Sequence, residues 1–480
     1  MHTIAAVAFI GLAAVTIQTI YRIFFHPLRK FPGPWTAAAT YYYRGYYDVV
    51  KGGGWVEHII ELHKRYGPVV RVSPHELHFS DPNAFDDIHV VTKPVKYHYF
   101  YKALPTEDAI VRVIDPKEAS KRRVRIGSYF SRRAVLQLEK SIQTIIEKLI
   151  HQLTSESYTD GTGPADLFYA YRATTMDIIM SYLFAQEFGA LDYPGFAHPL
   201  LPLSGLMQKL PESIVRKMNP FLVPLLDQTH YIAGKVEELT SEVRKGEMGH
   251  SGDDRKAIFD VWLNKTNSGD PWIVPKSQII DECASMQFAG SDTVGNACMM
   301  GSFHLLKNRM VLMKLRRELD ALDEEQMTYE TLEKLPCLSA VIKESLRMSF
   351  GVASPLPRVV GPSGSTIGGV TVPPRTVVSS ASYVVHTNPS VFPDPHEFIP
   401  ERWLDNKELD KYLVSFSKGP RICLGINLAW AELYLIFANV FRRLDFELYD
   451  TTEEDLTWKD CFLPLFTGKH LRAFVKKRMA

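Results

Sequence analysis

From Thr3 to Tyr21 the chain carries no charge, and the stretch includes the run Ile4-Ala5-Ala6-Val7-Ala8-Phe9-Ile10-Gly11-Leu12-Ala13-Ala14-Val15. That is about the length a helix needs to cross a bilayer. Arg22, Arg29 and Lys30 follow it, and no lysine or arginine precedes it. This asymmetry sets the amino terminus across the membrane and the remainder in the cytosol. A cleaved signal peptide is one alternative, but it would open on basic residues and close on small ones, whereas this run leads into Arg22-Ile23-Phe24-Phe25-His26. A buried core helix is another. Phe31-Pro32-Gly33-Pro34 then stops any helix, because proline fixes φ and lacks an N–H. The pattern divides the chain into an anchor at 1–25, a proline-rich hinge at 26–35 that orients the body, and one large unit at 36–480.

Three further stretches have helical patterning. Ile279 to Leu306 is long and apolar but carries Ala289-Gly290-Ser291-Asp292-Thr293 in its middle. Glycine costs about 1 kcal/mol inside a helix, and a threonine hydroxyl competes for backbone carbonyls, so a local kink is expected there. Leu338, Val341, Ile342 and Leu346 line one face of a second helix, on which Glu344 and Arg347 stand three apart and can pair. Leu428-Ala429-Trp430-Ala431-Glu432 marks a third.

Composition narrows the class. The chain has 480 residues, 46% apolar and 23% charged, with no low-complexity linker and a net charge of +1. That balance fits a globular protein with a large core and argues against nucleic-acid binding. Five cysteines, Cys283, Cys298, Cys337, Cys423 and Cys461, show no CxxC spacing. A reduced, cytosol-facing setting without disulfides is expected.

The chemistry centres on Cys423, in Phe416-Ser417-Lys418-Gly419-Pro420-Arg421-Ile422-Cys423-Leu424-Gly425. Gly419 and Gly425 permit tight turns on either side of the sulfur. Backbone N–H groups and a helix starting just after it would favour the thiolate, a ligand for iron. Arg421 suits a carboxylate on the group carrying the iron. The string resembles the haem-ligand signature of the cytochrome P450 superfamily at every defining position.

That resemblance implies a mainly α-helical (α+β) fold with a smaller β-rich region, and haem b held by Cys423 as axial ligand, with Phe416 and Gly425 in its loop. It also implies a buried triad of Glu344, Arg347 and Arg402, the last from Phe398-Ile399-Pro400-Glu401-Arg402-Trp403, locking that loop. Asp292 and Thr293 would guide protons beside the O2 site, Asp292 linking them to solvent. Val294 stands where members often have a second hydroxyl. Haem-carboxylate partners would be Arg421, Arg123 and Arg358, the latter two having a solvated surface charge as their alternative. Ala119 occupies the place of the usual Trp or His donor.

No dinucleotide or flavin fingerprint is present, so electrons must come from a partner, and the family implies an NADPH-cytochrome P450 reductase. Lys117, Lys121, Arg122, Arg123, Arg125, Arg132, Arg133 and Lys418 form a basic run able to steer an acidic reductase, or simply a solvated helix face. Phe288-Ala289, Gly351 to Leu356 and Leu463 to Thr467 stand where the family places substrate walls, and core packing explains them equally. Their apolar character points to a lipophilic substrate, terpenoid or polyketide-like. His26 to Pro34, Tyr66 to Arg71 and Phe392-Pro393-Asp394-Pro395 resemble fungal secondary-metabolism members. The expectation is a monooxygenase single-pass in the endoplasmic reticulum membrane. A haem-thiolate isomerase or dehydratase and a non-enzymatic haem-binding protein are the alternatives.

Overall fold

The computed structural model describes residues 2–91, 95–104, 106–155, 163–198, 223–245, 257–263 and 274–479. Helix α1 (His2–Ile20) and the π turn that continues it to Phe25 stand outside the body, with the span Thr3–Phe25 wholly unburied. Short helix α2 (Trp35–Ala39) and α3 (Trp55–Tyr66) then lead into strands β1 (Val69–Ser73) and β2 (Glu76–Phe79). These pair antiparallel and belong to a five-stranded sheet of order β1-β2-β5-β4-β3, completed by β3 (Val95–Lys96), β4 (Arg358–Val359) and β5 (Val377–Ser379). Two two-stranded ribbons and a three-stranded sheet complete the β structure among the described residues.

Helices form the rest: α4 (Pro116–Gly127), α5 (Arg132–Leu153), α6 (Leu167–Phe184), α7 (Val223–Lys245), α8 (Lys276–Lys307), α9 (Arg309–Asp320), α10 (Pro336–Ser349) and α11 (Ile426–Arg443). Proline opens α4 and α10 at their first turns, where its missing N–H has no intrahelical partner to lose. The sequence of α6 is apolar nearly all round and its side chains are buried on every face, as such a pattern requires. Against it runs α8, the long apolar stretch, with α10 and α11 packed on its other sides. Leu338, Val341, Ile342 and Leu346 of α10 all lie in this main core.

Helix α8 runs unbroken from Lys276 to Lys307 through the Ala289 to Thr293 segment where a kink is expected. Gly290 has a packing reason, since a Cβ there would sit 2.9 Å from the Ile179 side chain of α6. The glycine brings two helices together, which offsets its helix cost.

Candidate active site

Cys423 lies between a 3-10 turn (Gly419–Arg421) and the first turn of α11. Its N–H donates to the Phe416 carbonyl at 2.9 Å, closing the loop on itself. Gly419 has φ +70°, and a Cβ on it would meet the His89 carbonyl oxygen at 2.2 Å, so both conformation and space demand glycine. Gly425 differs from expectation: its φ is −85°, and the second positive-φ residue of the loop is Ser417. Phe416 packs against the main core with its ring 5.8 Å from that of Trp430. Cys423 is an exposed residue. Burial pushes its pKa up, while the Gly425 backbone and the Arg123 guanidinium pull it down.

The loop is braced from behind. Glu344 and Arg347 are both fully buried and paired through two bonds, Arg347 Nε to Glu344 Oε2 at 2.9 Å and Nη2 to Oε1 at 2.8 Å. Arg402 Nε reaches Glu344 Oε1 at 3.1 Å. Glu344 also accepts from the Trp403 indole at 2.8 Å and the Ile399 N–H at 3.0 Å. Arg347 spends its remaining donors on the carbonyls of His386, Pro395 and Glu397. The same His386 accepts the Val414 N–H at 2.9 Å through Nε2, and the Ser415 hydroxyl donates to the Leu346 carbonyl at 2.9 Å. Those contacts connect the triad to the start of the cysteine loop. Burial and Arg347 hold the His386 pKa down at about 3, so it stays a neutral acceptor. Sequence reasoning gave Trp403 no role although it closes the quoted Phe398 to Trp403 string, and it missed His386.

A second charged cluster stands on the other side of the loop. Arg123 donates to the Ile422 carbonyl at 2.8 Å, Arg421 to the Val113 carbonyl at 3.1 Å, and Arg358 to the Tyr101 hydroxyl. Buried Lys96 joins them, donating to the Val111 carbonyl at 2.5 Å with its ammonium 4.4 Å from the Tyr101 ring centroid. The register of β3 on β4 sets Lys96 directly opposite Arg358. Like charges at paired sheet positions repel. Burial, then Arg421, Arg358 and Arg123, pushes the Lys96 pKa well below its ordinary value. Among the described residues no carboxylate forms an ion pair with any of the four cations. Nearby His89 is buried with both ring nitrogens unpartnered. A planar ligand bearing two carboxylates beside Cys423 meets this donor set, so the residues fit a haem. Ala119, which stands in the place of the usual donor, is buried on α4.

Asp292 and Thr293 are treated differently by the fold. The Thr293 hydroxyl donates to the Ala289 carbonyl at 2.7 Å, and Ala289 is exposed in the midst of an otherwise buried helix. Asp292 points to α6, where its Oδ1 lies 2.7 Å from Arg172 Nε, and Arg172 also donates to Asn296 at 2.8 Å. Rather than facing bulk solvent, the carboxyl is buried, and burial raises its pKa to about 6 against the opposing pull of Arg172. Two of the expected substrate walls meet, because the Ala353 N–H donates to the Phe462 carbonyl at 3.1 Å, beside Leu463. A cavity of about 1300 Å³ between α5 and α6, lined by Ser128, Arg133, Lys140 and Tyr182, includes none of these candidate site residues.

Much of the basic run is used internally. Arg122 pairs with Glu118 at 2.9 Å, Arg132 with Glu333 at 2.6 Å and Lys418 with Asp86 at 2.5 Å. Lys117, Lys121 and Arg133 remain exposed, with no ion pair among the described residues.

Residues 42–464 match the cytochrome P450 family. The chain is similar to the cytochrome P450 monooxygenase BOT1 of Botryotinia fuckeliana, 34% identical over 492 residues, covering 97% of this chain and 94% of that protein. It is similar to the cytochrome P450 monooxygenase astB of Aspergillus terreus, 34% identical over 478 residues, with 94% and 92% covered. It is also similar to the tryptophan 6-hydroxylase fscE of Fusarium equiseti, 33% identical over 488 residues, with 96% and 94% covered.

Proposed function

The chain belongs to the cytochrome P450 family and is a haem-dependent monooxygenase; from that premise we propose that Cys423 is the axial thiolate and that the cations around its loop hold the haem carboxylates. The observation that carries this reading is an exposed Cys423 beside four basic side chains with which no carboxylate among the described residues forms an ion pair. When bound, the haem activates O2 with electrons delivered by a reductase, a chemistry that belongs to the cofactor.

The residues of this chain have separate tasks. Arg123, beside the sulfur, favours its ionised form, and the N-terminus of α11 adds a dipole of the same sign. Glu344, Arg347 and Arg402 fix the loop through His386. Thr293 holds or passes a proton at its Oγ1, as general acid work requires. Asp292, with a pKa of about 6, can both take and give a proton near neutral pH, provided Arg172 releases it. The substrate is a lipophilic secondary metabolite, terpenoid or polyketide-like, received between the Gly351 and Leu463 segments and the exposed face of α8. Helix α1 anchors the protein in the endoplasmic reticulum membrane, catalytic body in the cytosol. The reductase uses NADPH and docks electrostatically on Lys117, Lys121 and Arg133.

Replacing Cys423 with serine tests the central assignment. The reduced carbon-monoxide band typical of thiolate-ligated haem is expected to vanish, and an unchanged band would refute it. Thr293→Ala is expected to divert electrons from product to hydrogen peroxide; unchanged coupling removes its proton role. Expression with a reductase, followed by mass spectrometry, identifies the oxygenated product.

A further inference from the structure

The segment that reaches the Cys423 surroundings ahead of α4 has no regular structure to hold it: residues 107–115 form neither helix nor strand. Backbone groups that no helix or sheet serves need partners elsewhere. Here they find two different kinds.

Two N–H groups go to neighbouring carboxylates of α8. The Asp108 N–H donates to Asp281 Oδ2 at 2.7 Å, and the Ile110 N–H to Glu282 Oε2 at 3.0 Å. Consecutive helical residues project about 100° apart, which lets adjacent carboxylates meet donors two residues apart on a segment lying across the helix. Ser277, one turn earlier on α8, donates its hydroxyl to Asp108 Oδ2 at 3.2 Å, and Arg122 of α4 donates to the Asp108 carbonyl at 2.6 Å. Glu282 is fully buried, where a carboxyl is costly unless donors meet it.

The carbonyls that follow serve the cations instead. Val111, next after Ile110, accepts from the Lys96 ammonium at 2.5 Å, and Val113 and Ile114 accept from Arg421 Nη2 at 3.1 and 3.4 Å. Two turn bonds join the pinned half to the accepting half, from the Arg112 N–H to the Ala109 carbonyl at 2.9 Å and from the Val113 N–H to the Ile110 carbonyl at 3.3 Å. Ala109 is fully buried, and the Asp115 carboxylate ends the segment by capping α4 through the Lys117 and Glu118 N–H groups. The segment is a strap. Its first half is fastened to α8, and its second half holds two of the four cations near the Cys423 loop.

We infer that Asp281 and Glu282 are positioning residues for the haem-carboxylate site: they fix the 108–115 strap, and the strap's carbonyls aim Lys96 and Arg421. This rests on the reading of those cations as partners of the haem carboxylates. Long cationic side chains lose rotamer freedom when they bind, and carbonyls already in place settle that loss during folding. Helix α8 then does two jobs along its length. Asp292 and Thr293 stand at its middle, and ten residues earlier, about 15 Å along the axis, Glu282 governs the alignment of the cofactor's edge.

The test uses the full-length, haem-loaded protein at pH 8, above the pKa of about 7 that burial gives Glu282. Two rates are followed, amide hydrogen exchange in peptides covering residues 106–115 and haem transfer to an excess of acceptor globin. Glu282→Ala, and Asp281→Ala at a partly exposed carboxylate, are each expected to speed strap exchange about ten-fold, the effect of losing one charge-assisted hydrogen bond, and haem transfer several-fold. Glu282→Gln keeps an acceptor for Ile110 and should restore both rates. Should Glu282→Ala fail to load haem, Asp281→Ala carries the test.

A double-mutant cycle separates positioning from simple support of the fold. Lys96→Met should speed haem transfer several-fold when the strap is fastened and add little when Asp281 is alanine, because an unfastened strap no longer aims the ammonium. Increments that simply multiply overturn the inference, as does a strap that loosens while haem transfer keeps its native rate. If Lys96→Met and Arg421→Met, each with native strap exchange, leave haem transfer unchanged, the assignment of the cations to the haem is what fails, and the inference falls with it.

Discussion

Two buried or half-buried clusters of positive charge contact the Cys423 loop and its surroundings, and the fold settles their charge in opposite ways. Behind the loop, Arg347 and Arg402 share Glu344, and every donor of Arg347 is satisfied inside the protein. In front of it, Lys96, Arg123, Arg358 and Arg421 bond to carbonyls and a phenol, and two of them face each other across a strand pair. Burying a charge costs several kcal/mol unless a partner offsets it. The triad carries its partner in the sequence and is therefore scaffolding. The front cluster forms no ion pair with a carboxylate among the described residues, which is what the proposed haem-carboxylate site requires.

The largest effect should follow from breaking the closed cluster. Glu344→Ala strands two buried guanidiniums and removes the acceptor for Trp403 and Ile399, a loss of about 3–5 kcal/mol. Denaturant unfolding of the purified protein should show it, together with little or no haem retained. A variant that unfolds at the native midpoint would mean the cluster is not holding the loop. Breaking the open cluster should do the reverse to the haem-free protein. Lys96→Met keeps the apolar stem, removes one of four repelling charges and leaves the Val111 carbonyl without its donor. The haem-free form should melt at or above the native temperature, while haem transfer to an acceptor globin becomes several-fold faster, a change of about 1 kcal/mol. Loss of stability in the haem-free form with unchanged haem release would erase the distinction between the two clusters.

This contrast was only half legible in the sequence. Glu344, Arg347 and Arg402 stand in strings that name themselves, since a three-residue helical spacing and a Pro-Glu-Arg segment are local patterns. Cys423 was legible for the same reason. Lys96 was not, because its position depends on a two-residue strand whose register against Arg358 no local pattern encodes. Nor was Arg172, which stands on α6 and meets Asp292 only once two apolar helices have packed. Gly290 shows the opposite failing: its presence was legible, but a mid-helix glycine means kink or close approach, and only the neighbouring Ile179 decides between them. The anchor helix declared itself by composition.

A third solution to buried charge gives the smallest and most graded effect. Glu282 on α8 is buried and accepts the Ile110 N–H at 3.0 Å, but its cation, Arg122, stays 3.8 Å away and is shared with Glu118. Burial therefore dominates and lifts its pKa from 4.5 to about 7. An acid whose pKa is raised on folding binds more protons folded than unfolded, so it stabilises the fold least at high pH. Its contribution is fully present below about pH 4.5 and is lost as pH rises to about 7, a swing on the order of 3 kcal/mol at most. Glu282→Gln keeps an acceptor for Ile110 and removes the titration. Its unfolding midpoint should therefore flatten across this window relative to the native chain, with the two curves furthest apart near neutral pH and the variant the more stable there. Parallel curves would mean that Arg122 closes on Glu282 in solution and that this carboxylate belongs with Glu344, neutralised by a partner rather than by a proton.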